Sequence, residues 1–193
     1  MKQYTARVVE LTVPLLLEEA RVFATTVSQE YDAALFGVTD GKAVGTYLES
    51  RFVAHLAEGY EFLRGNAAKG IDIPALEVDI KTTSVSQPQS SSPFKSARQK
   101  VFGLGYALLV FVYEKSDDLR RKKAQLNIVH TLFINRERTG DFTLTRLLRQ
   151  AVAAGANAED LMAIMLDRNL PLDEIEAAVI ARELLERLPE QGS

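Results

Sequence analysis

Cysteine and tryptophan are absent from these 193 residues, and histidine occurs only twice, as His55 and His130. Without cysteine there are no disulfides, no thiol nucleophile and no cysteine-ligated zinc. Two histidines so far apart make a multi-histidine metal site within one chain a poor fit, which argues against histidine-based metallonucleases and metalloproteases. Any metal would need oxygen ligands, and magnesium prefers carboxylates and water. Long apolar runs are missing as well. The stretch Val13-Pro14-Leu15-Leu16-Leu17 is far too short to span a membrane and lacks the layout of a cleavable signal. The expectation is a cytoplasmic protein with no membrane partner.

What remains is ordinary globular material, 47% hydrophobic and 25% charged. A chain of this size buries roughly 70% of its unfolded surface, enough for one domain, or one domain with a helical appendage. The net charge of −3 hides an asymmetry. From Pro93 to Lys123 eight Lys or Arg face three Asp or Glu, whereas from Asn157 to Glu190 three basic residues face nine acidic ones. The middle of the chain could meet a polyanion that the C-terminal part would repel.

Helical spacing places Val9, Val13, Leu16, Leu17, Ala20, Phe23 and Ala24 on one face within residues 1–36, with Pro14 marking a break or a first turn. Val44, Leu48, Phe52 and Leu56 form the apolar face of a second helix over Lys42–Gly59. Strands are expected at Tyr60–Leu63 and in a hairpin over about 68–83. A basic helix should start at Ser92-Pro93, as capping residue and first-turn proline, and stop near Gly103 or Gly105. The apolar run Tyr106–Tyr113 and the segment Leu126–Ile134 read as sheet strands joined by a charged loop, Glu114–Lys123. Three helices follow, over about 143–154, 157–168 and 172–188. Asn157 and Asp160 resemble a capping box at the start of the second.

The stretch Gly70–Lys81 carries the chemistry. Two-residue alternation puts Ile71, Ile73, Val78 and Ile80 on one face of a hairpin, and Asp72, Glu77, Asp79 and Lys81 on the other. A turn over Pro74–Glu77 pairs Ile73 with Val78 and sets Asp72 opposite Asp79. Their Cβ atoms would lie roughly 5 Å apart, where like charges repel unless something positive stands between them. Facing carboxylates with an ammonium two residues along suggest a divalent-metal site. The plainer reading is an ordinary hairpin with a charged solvent face. Glu49 sits beside the apolar stripe of the preceding helix, and Gly45 one turn earlier leaves room for a backbone or ligand.

In this order the chain resembles the PD-(D/E)xK nuclease superfamily. That group has an αβββαβ core with an Asp on its second strand and Asp/Glu-x-Lys on its third. Here Asp72 matches the first acid, Asp79-Ile80-Lys81 the D-x-K, and Glu49 an additional acid that many members carry. The block from Ile80-Lys81-Thr82-Thr83-Ser84 to Lys100 is similar to bacterial type II restriction endonucleases. Two departures stand out: the usual Pro-Asp is Ile-Asp, and only six residues separate Asp72 from Asp79. Glu77, on the same face, is a rival ligand.

The resemblance implies an α/β, restriction-endonuclease-like fold, with a central mixed sheet flanked by helices and additional N- and C-terminal helices. The nuclease domain would cover residues 1–140, with its core at about 42–113. Residues 141–193 would form a helical extension of the same globule, used for packing or dimerisation. One or two Mg2+ ions would be held by Asp72, Asp79, Glu49 and the Ile80 backbone carbonyl, with Lys81 positioning water or neutralising the phosphate. The partner would be double-stranded DNA. Lys95, Arg98 and Lys100 suit phosphates, while Gln87, Gln89 and Gln99, and Arg98 in a second role, suit base edges. Ser91 and Ser92 complete this set. Each could instead belong to a solvated loop and helix face, as could Arg120-Arg121-Lys122-Lys123.

The acidic start of the last helix, Asp173-Glu174-Ile175-Glu176, would repel DNA. A homodimer would suit cleavage of both strands of a palindrome. A cognate DNA methyltransferase would be a functional rather than a physical partner. The alternatives are a repair or recombination nuclease with the same residues, or a non-catalytic DNA-binding protein.

Overall fold

A computed structural model of the chain describes residues 9–65, 70–88 and 94–190. By its internal contacts the chain divides into two compact units, Met1–Ser91 with Leu108–Phe133, and Ser92–Ala107 with Ile134–Ser193. The architecture is mixed α/β with a mixed central sheet, as expected. Among the described residues no helix is long and apolar enough to cross a membrane.

The first unit begins with a two-residue strand, β1 (Val9–Glu10), and helix α1 (Val13–Gln29). Pro14 starts α1 rather than interrupting it, because a first-turn residue needs no backbone N–H bond. Leu16, Ala20, Phe23, Ala24 and Val27 form its buried stripe. Val9, expected on the same face, is exposed and belongs to β1. The short strand β2 (Tyr31–Asp32) follows, and then helix α2 (Gly41–Gly59), capped by the Asp40 carboxylate accepting from Lys42 N. The expected Val44–Leu48–Phe52–Leu56 stripe is fully buried.

The strand expected after α2 is only Tyr60–Glu61 (β3), and it pairs parallel with β1 in a sheet of its own. The central sheet has four strands in the order β2-β6-β5-β4, where β4 is Val78–Ser84, β5 is Ala107–Asp118 and β6 is Lys123–Ile134. Phe23, Phe52 and Phe111 meet with ring centroids 5.0–5.8 Å apart, locking α1 and α2 onto β5. The charged loop expected over Glu114–Lys123 is mostly strand, and the turn is only Leu119–Lys122. Beyond Tyr113 the ribbon is largely solvated, so its residues lose the apolar pattern without losing the ladder.

In the second unit helix α3 (Ala97–Phe102) packs with α4 (Phe142–Ala153), α5 (Ala158–Asp167) and α6 (Glu174–Glu186) around Val101, Leu148, Leu161, Met165, Ile180 and Leu184. The capping box of Asn157 and Asp160 is present. Helix α3 starts later than its Ser-Pro signal suggests: Ser96 is the cap, accepting from Gln99 N, and Ser92 and Pro93 lie outside the described residues. It ends at Gly103, whose φ of +97° favours glycine and where a Cβ would stand 2.5 Å from Arg136 O.

Candidate active site

The acidic hairpin forms in the expected register and then opens at once. Ile73 N donates to Val78 O (3.0 Å) and Val78 N to Ile73 O (3.3 Å), across a turn of 3-10 helix, Pro74–Leu76, closed by Glu77 in the left-handed conformation. In an antiparallel ladder the next such exchange would join Ile71 and Ile80. Instead Ile80 N donates to Asp72 Oδ2 at 2.9 Å. The Asp72 side chain thus replaces a backbone carbonyl, which is why the second expected strand is reduced to a single bridge.

Gly65 makes this detour possible. Its N–H donates to Asp72 O (2.8 Å), and a Cβ there would fall 1.7 Å from Ile71 O, so only glycine allows the two backbones to touch. The role of Gly65 depends on a contact that no local sequence pattern announces.

Ile73, Val78 and Ile80 are fully buried, as the alternation requires. The opposite face is not a solvent face. Asp79 is only 3% exposed, and its Oδ2 lies 2.7 Å from Lys81 Nζ. Burial pushes the Asp79 carboxyl up to about 6; Lys81 pulls it down, and a hydrogen bond with the Asp72 carboxyl pushes it up again. Asp72 is therefore the direct neighbour of Asp79, while Glu77 stands exposed at the turn. Burial works against the charge on Lys81, yet Asp79, Glu49 and Asp72 together raise its pKa.

Glu49 reaches the same group from α2. Desolvation, with smaller contributions from Asp72 and Asp79, lifts its pKa to about 7 against the pull of Lys81. A methyl group at Gly45 would lie 3.7 Å from Glu49 Oε1 and 3.8 Å from Thr82 Cβ, ordinary contact distances that place this turn of α2 beside Glu49 and β4. Thr82 Oγ1 is buried with no hydrogen bond of good geometry, although it lies near enough to Glu49 to lower that carboxyl's pKa. Both histidines are elsewhere: His55 Nε2 is 2.8 Å from Glu19 Oε2, and His130 is exposed.

Glu49, Lys81 and Thr82 open into a cleft of about 880 Å³ bounded by the first turns of α2, the end of β4 and the part of β5 from Tyr113 to Asp117. Gln87 lines it; Gln89, Ser91 and Ser92 lie outside the described residues. The remaining predicted DNA contacts belong to the second unit. Lys95 is exposed ahead of α3, and Lys100 is half-buried on it. Arg98 is already engaged, with its two terminal nitrogens 2.6 and 2.8 Å from the Glu183 carboxylate and its guanidinium over the Phe102 ring. Gln99 is also used internally, its Oε1 accepting from Lys95 N and its Nε2 donating to Leu104 O.

Residues 10–193 match the family described as type II restriction enzyme NspV. A curated relative, the type II restriction enzyme NspV of Nostoc sp. (strain ATCC 29411 / PCC 7524), is 55% identical over 182 residues, covering 94% of this chain and 83% of the relative. This chain belongs to the NspV family of type II restriction enzymes. No solved structure matches it.

Type II restriction enzymes in general depend on a divalent metal and act on double-stranded DNA. Among the described residues no three acidic or histidine side chains converge as a ready-made metal cage. The fit is nonetheless to a hard cation with few protein ligands. Two adjoining carboxyls, one buried and reluctant to ionise, and an unsatisfied hydroxyl nearby leave negative charge and oxygen donors for an ion that keeps much of its water.

Proposed function

We propose that this protein is a site-specific deoxyribonuclease of a restriction–modification system that hydrolyses DNA phosphodiester bonds with Mg2+. The observation that carries the proposal is the buried Asp79, hydrogen-bonded to the Asp72 carboxyl and ion-paired with Lys81, a residue that itself lines the open cleft together with Glu49. Buried charge is costly to stability, and its retention directly behind a cleft residue suits a functional site better than a structural one.

Uncatalysed hydrolysis of phosphate esters is among the slowest of reactions, and its barrier is largely electrostatic. Asp72, Asp79 and the Ile80 carbonyl would hold magnesium, with Glu49 in outer contact. When bound, the ion supplies positive charge for the phosphate oxygens and a more acidic water. Lys81 keeps its proton, since its pKa is raised. Its role is therefore to position the attacking water and neutralise charge on the phosphate, rather than to act as a base. Glu49 exchanges its proton close to neutrality and can take one up from the attacking water.

Gln87 lines the cleft, which supports a base-edge contact there; Gln89, Ser91, Ser92, Lys95, Arg98, Gln99 and Lys100 would be further DNA contacts. Contact through Arg98 requires release from Glu183. Cutting both strands suits a homodimer in the cytoplasm, acting beside a cognate methyltransferase. Exposed Ile175 and Val179, one turn apart on α6, support pairing of two copies.

Family membership favours restriction over repair or recombination. The test is digestion of unmethylated phage or plasmid DNA with Mg2+ and with EDTA. Discrete bands that end in one common sequence are expected, and none with EDTA. Binding without cutting on any substrate would overturn the proposal.

A further inference from the structure

The β5–β6 hairpin carries charge that the cleavage chemistry does not use. Two twelve-residue strands meet at the four-residue turn Leu119–Lys122, and Arg120-Arg121-Lys122-Lys123 places four cations in succession on a chain whose net charge is −3. Resting on the DNA-nuclease reading, we infer that this tip is a second DNA-contacting element, in which Arg120 and Lys122 hold backbone phosphates flanking the base pairs that lie in the cleft.

The turn is built to hold its shape. Asp118 Oδ1 accepts from both Arg120 N (2.9 Å) and Arg121 N (3.0 Å), which fixes the backbone on its entering side. Arg121 lies over the Tyr31 ring at 5.1 Å and 3.6 Å from Asp118 Oδ2, tying the tip to the sheet edge. Lys123 faces Asp32.

Arg121 and Lys123 thus serve as anchors. Arg120 and Lys122 are different: both are exposed, and among the described residues neither side chain has an ion pair or ring partner. Nor are the nearby acids available to them. Asp117 holds Lys115 and Gly37 N, Asp118 caps the turn, and Asp32 takes the Tyr47 hydroxyl and Ala34 N.

The backbone gives a second argument. Lys122 has a φ of +51°, a conformation that glycine adopts freely and an L side chain adopts under strain. A turn selected only for closure would carry glycine or asparagine there. This one carries a cation.

Position gives a third. Lys115 and Asp117 line the cleft, and the turn begins two residues later. Tyr113 O accepts from Val85 N at 3.0 Å, so six residues of extended strand, roughly 20 Å, separate the junction of β4 and β5 from the tip. That reach corresponds to about six base pairs of B-form DNA. A duplex in the cleft would meet the tip outside the stretch being read, where contact is with backbone and carries no sequence information.

The test uses the full chain and a 30-base-pair random-sequence duplex, with binding followed by anisotropy in EDTA across a salt series. Each lost phosphate contact removes about 0.9 from the slope of log affinity against log salt. Arg120→Gln/Lys122→Gln should therefore flatten the slope by about 1.8 and weaken binding roughly 10- to 50-fold at low salt. Arg120→Lys/Lys122→Arg should keep both. On plasmid DNA with Mg2+, the Gln variant should give the wild-type band pattern, with KM raised and kcat kept. An unchanged salt slope would overturn the assignment, as would an altered band pattern, which would mean that the tip reads bases. A wild-type protein that binds no duplex would overturn the nuclease reading together with this one, and so separates the two failures.

Discussion

Asp79→Asn tests the electrostatic account of the site without requiring knowledge of the recognition sequence. In the folded protein burial lifts the Asp79 pKa from 3.8 to about 6, even with Lys81 beside it. The group is only 3% exposed, so solvent screens little of this. Because the folded pKa lies above the unfolded one, the protonated carboxyl is the form folding favours. Its contribution is fully present below pH 3.8 and is lost as pH rises through 6. At pH 8 without metal, the ionised carboxylate costs at most about 3 kcal/mol.

Asparagine removes that cost and also the ion pair with Lys81. The expected net result is a variant more stable than wild type by about 1–3 kcal/mol at pH 8 in EDTA, or roughly 2–10 °C in Tm for a chain of this size. The advantage should vanish by pH 4, where wild type is itself neutral at this position. Adding Mg2+ should raise the wild-type Tm and leave the variant nearly unmoved, because a ligand stabilises only the state that binds it. Cleavage should be lost. Thermal unfolding at two pH values, with EDTA and with Mg2+, measures all of this. A variant less stable than wild type at pH 8 in EDTA would refute the reasoning, since the buried carboxylate would then be a structural ion pair rather than a tolerated liability.

Lys81→Gln should reduce cleavage by roughly 10³-fold or more while DNA binding is retained; gel shift beside digestion would check it. Gly65→Ala should abolish cleavage too, by pushing Ile71 and Asp72 away from Ile80, and hydrogen exchange at the Ile80 amide would report the opened hairpin. Glu49→Gln should slow cleavage and remove an inflection near pH 7 from the rate profile; an unchanged profile would take Glu49 out of the proton transfer. Replacing Mg2+ with EDTA should end cleavage while leaving random-sequence DNA binding measurable by anisotropy.

The residues themselves determined a good deal. Apolar periodicity located α1 and α2 with most of their buried faces, because burial on one side of a regular element leaves a period that can be counted, and apolar runs located β5 and β6. Capping chemistry placed the start of α5, since Asn157 and Asp160 satisfy each other's backbone groups within four residues. The Ile73–Val78 pairing followed from alternation and a proline turn, and with it the closeness of Asp72 to Asp79. All of these depend on neighbours in sequence.

Contacts between distant residues decided the rest. Nothing near Asp72 says that its side chain takes the amide of Ile80 in place of a strand carbonyl, or that Gly65 must be bare to let it. Arg98 looked free for DNA until Glu183, far along the chain, closed on it. The strand expected at Tyr60–Leu63 is two residues long and pairs with β1, a partner about fifty residues earlier in the chain. Most of all, Asp79 was charged by its sequence but buried by the packed chain. A carboxylate's reluctance to ionise comes from what removes its water, and that is a property of the packed chain alone.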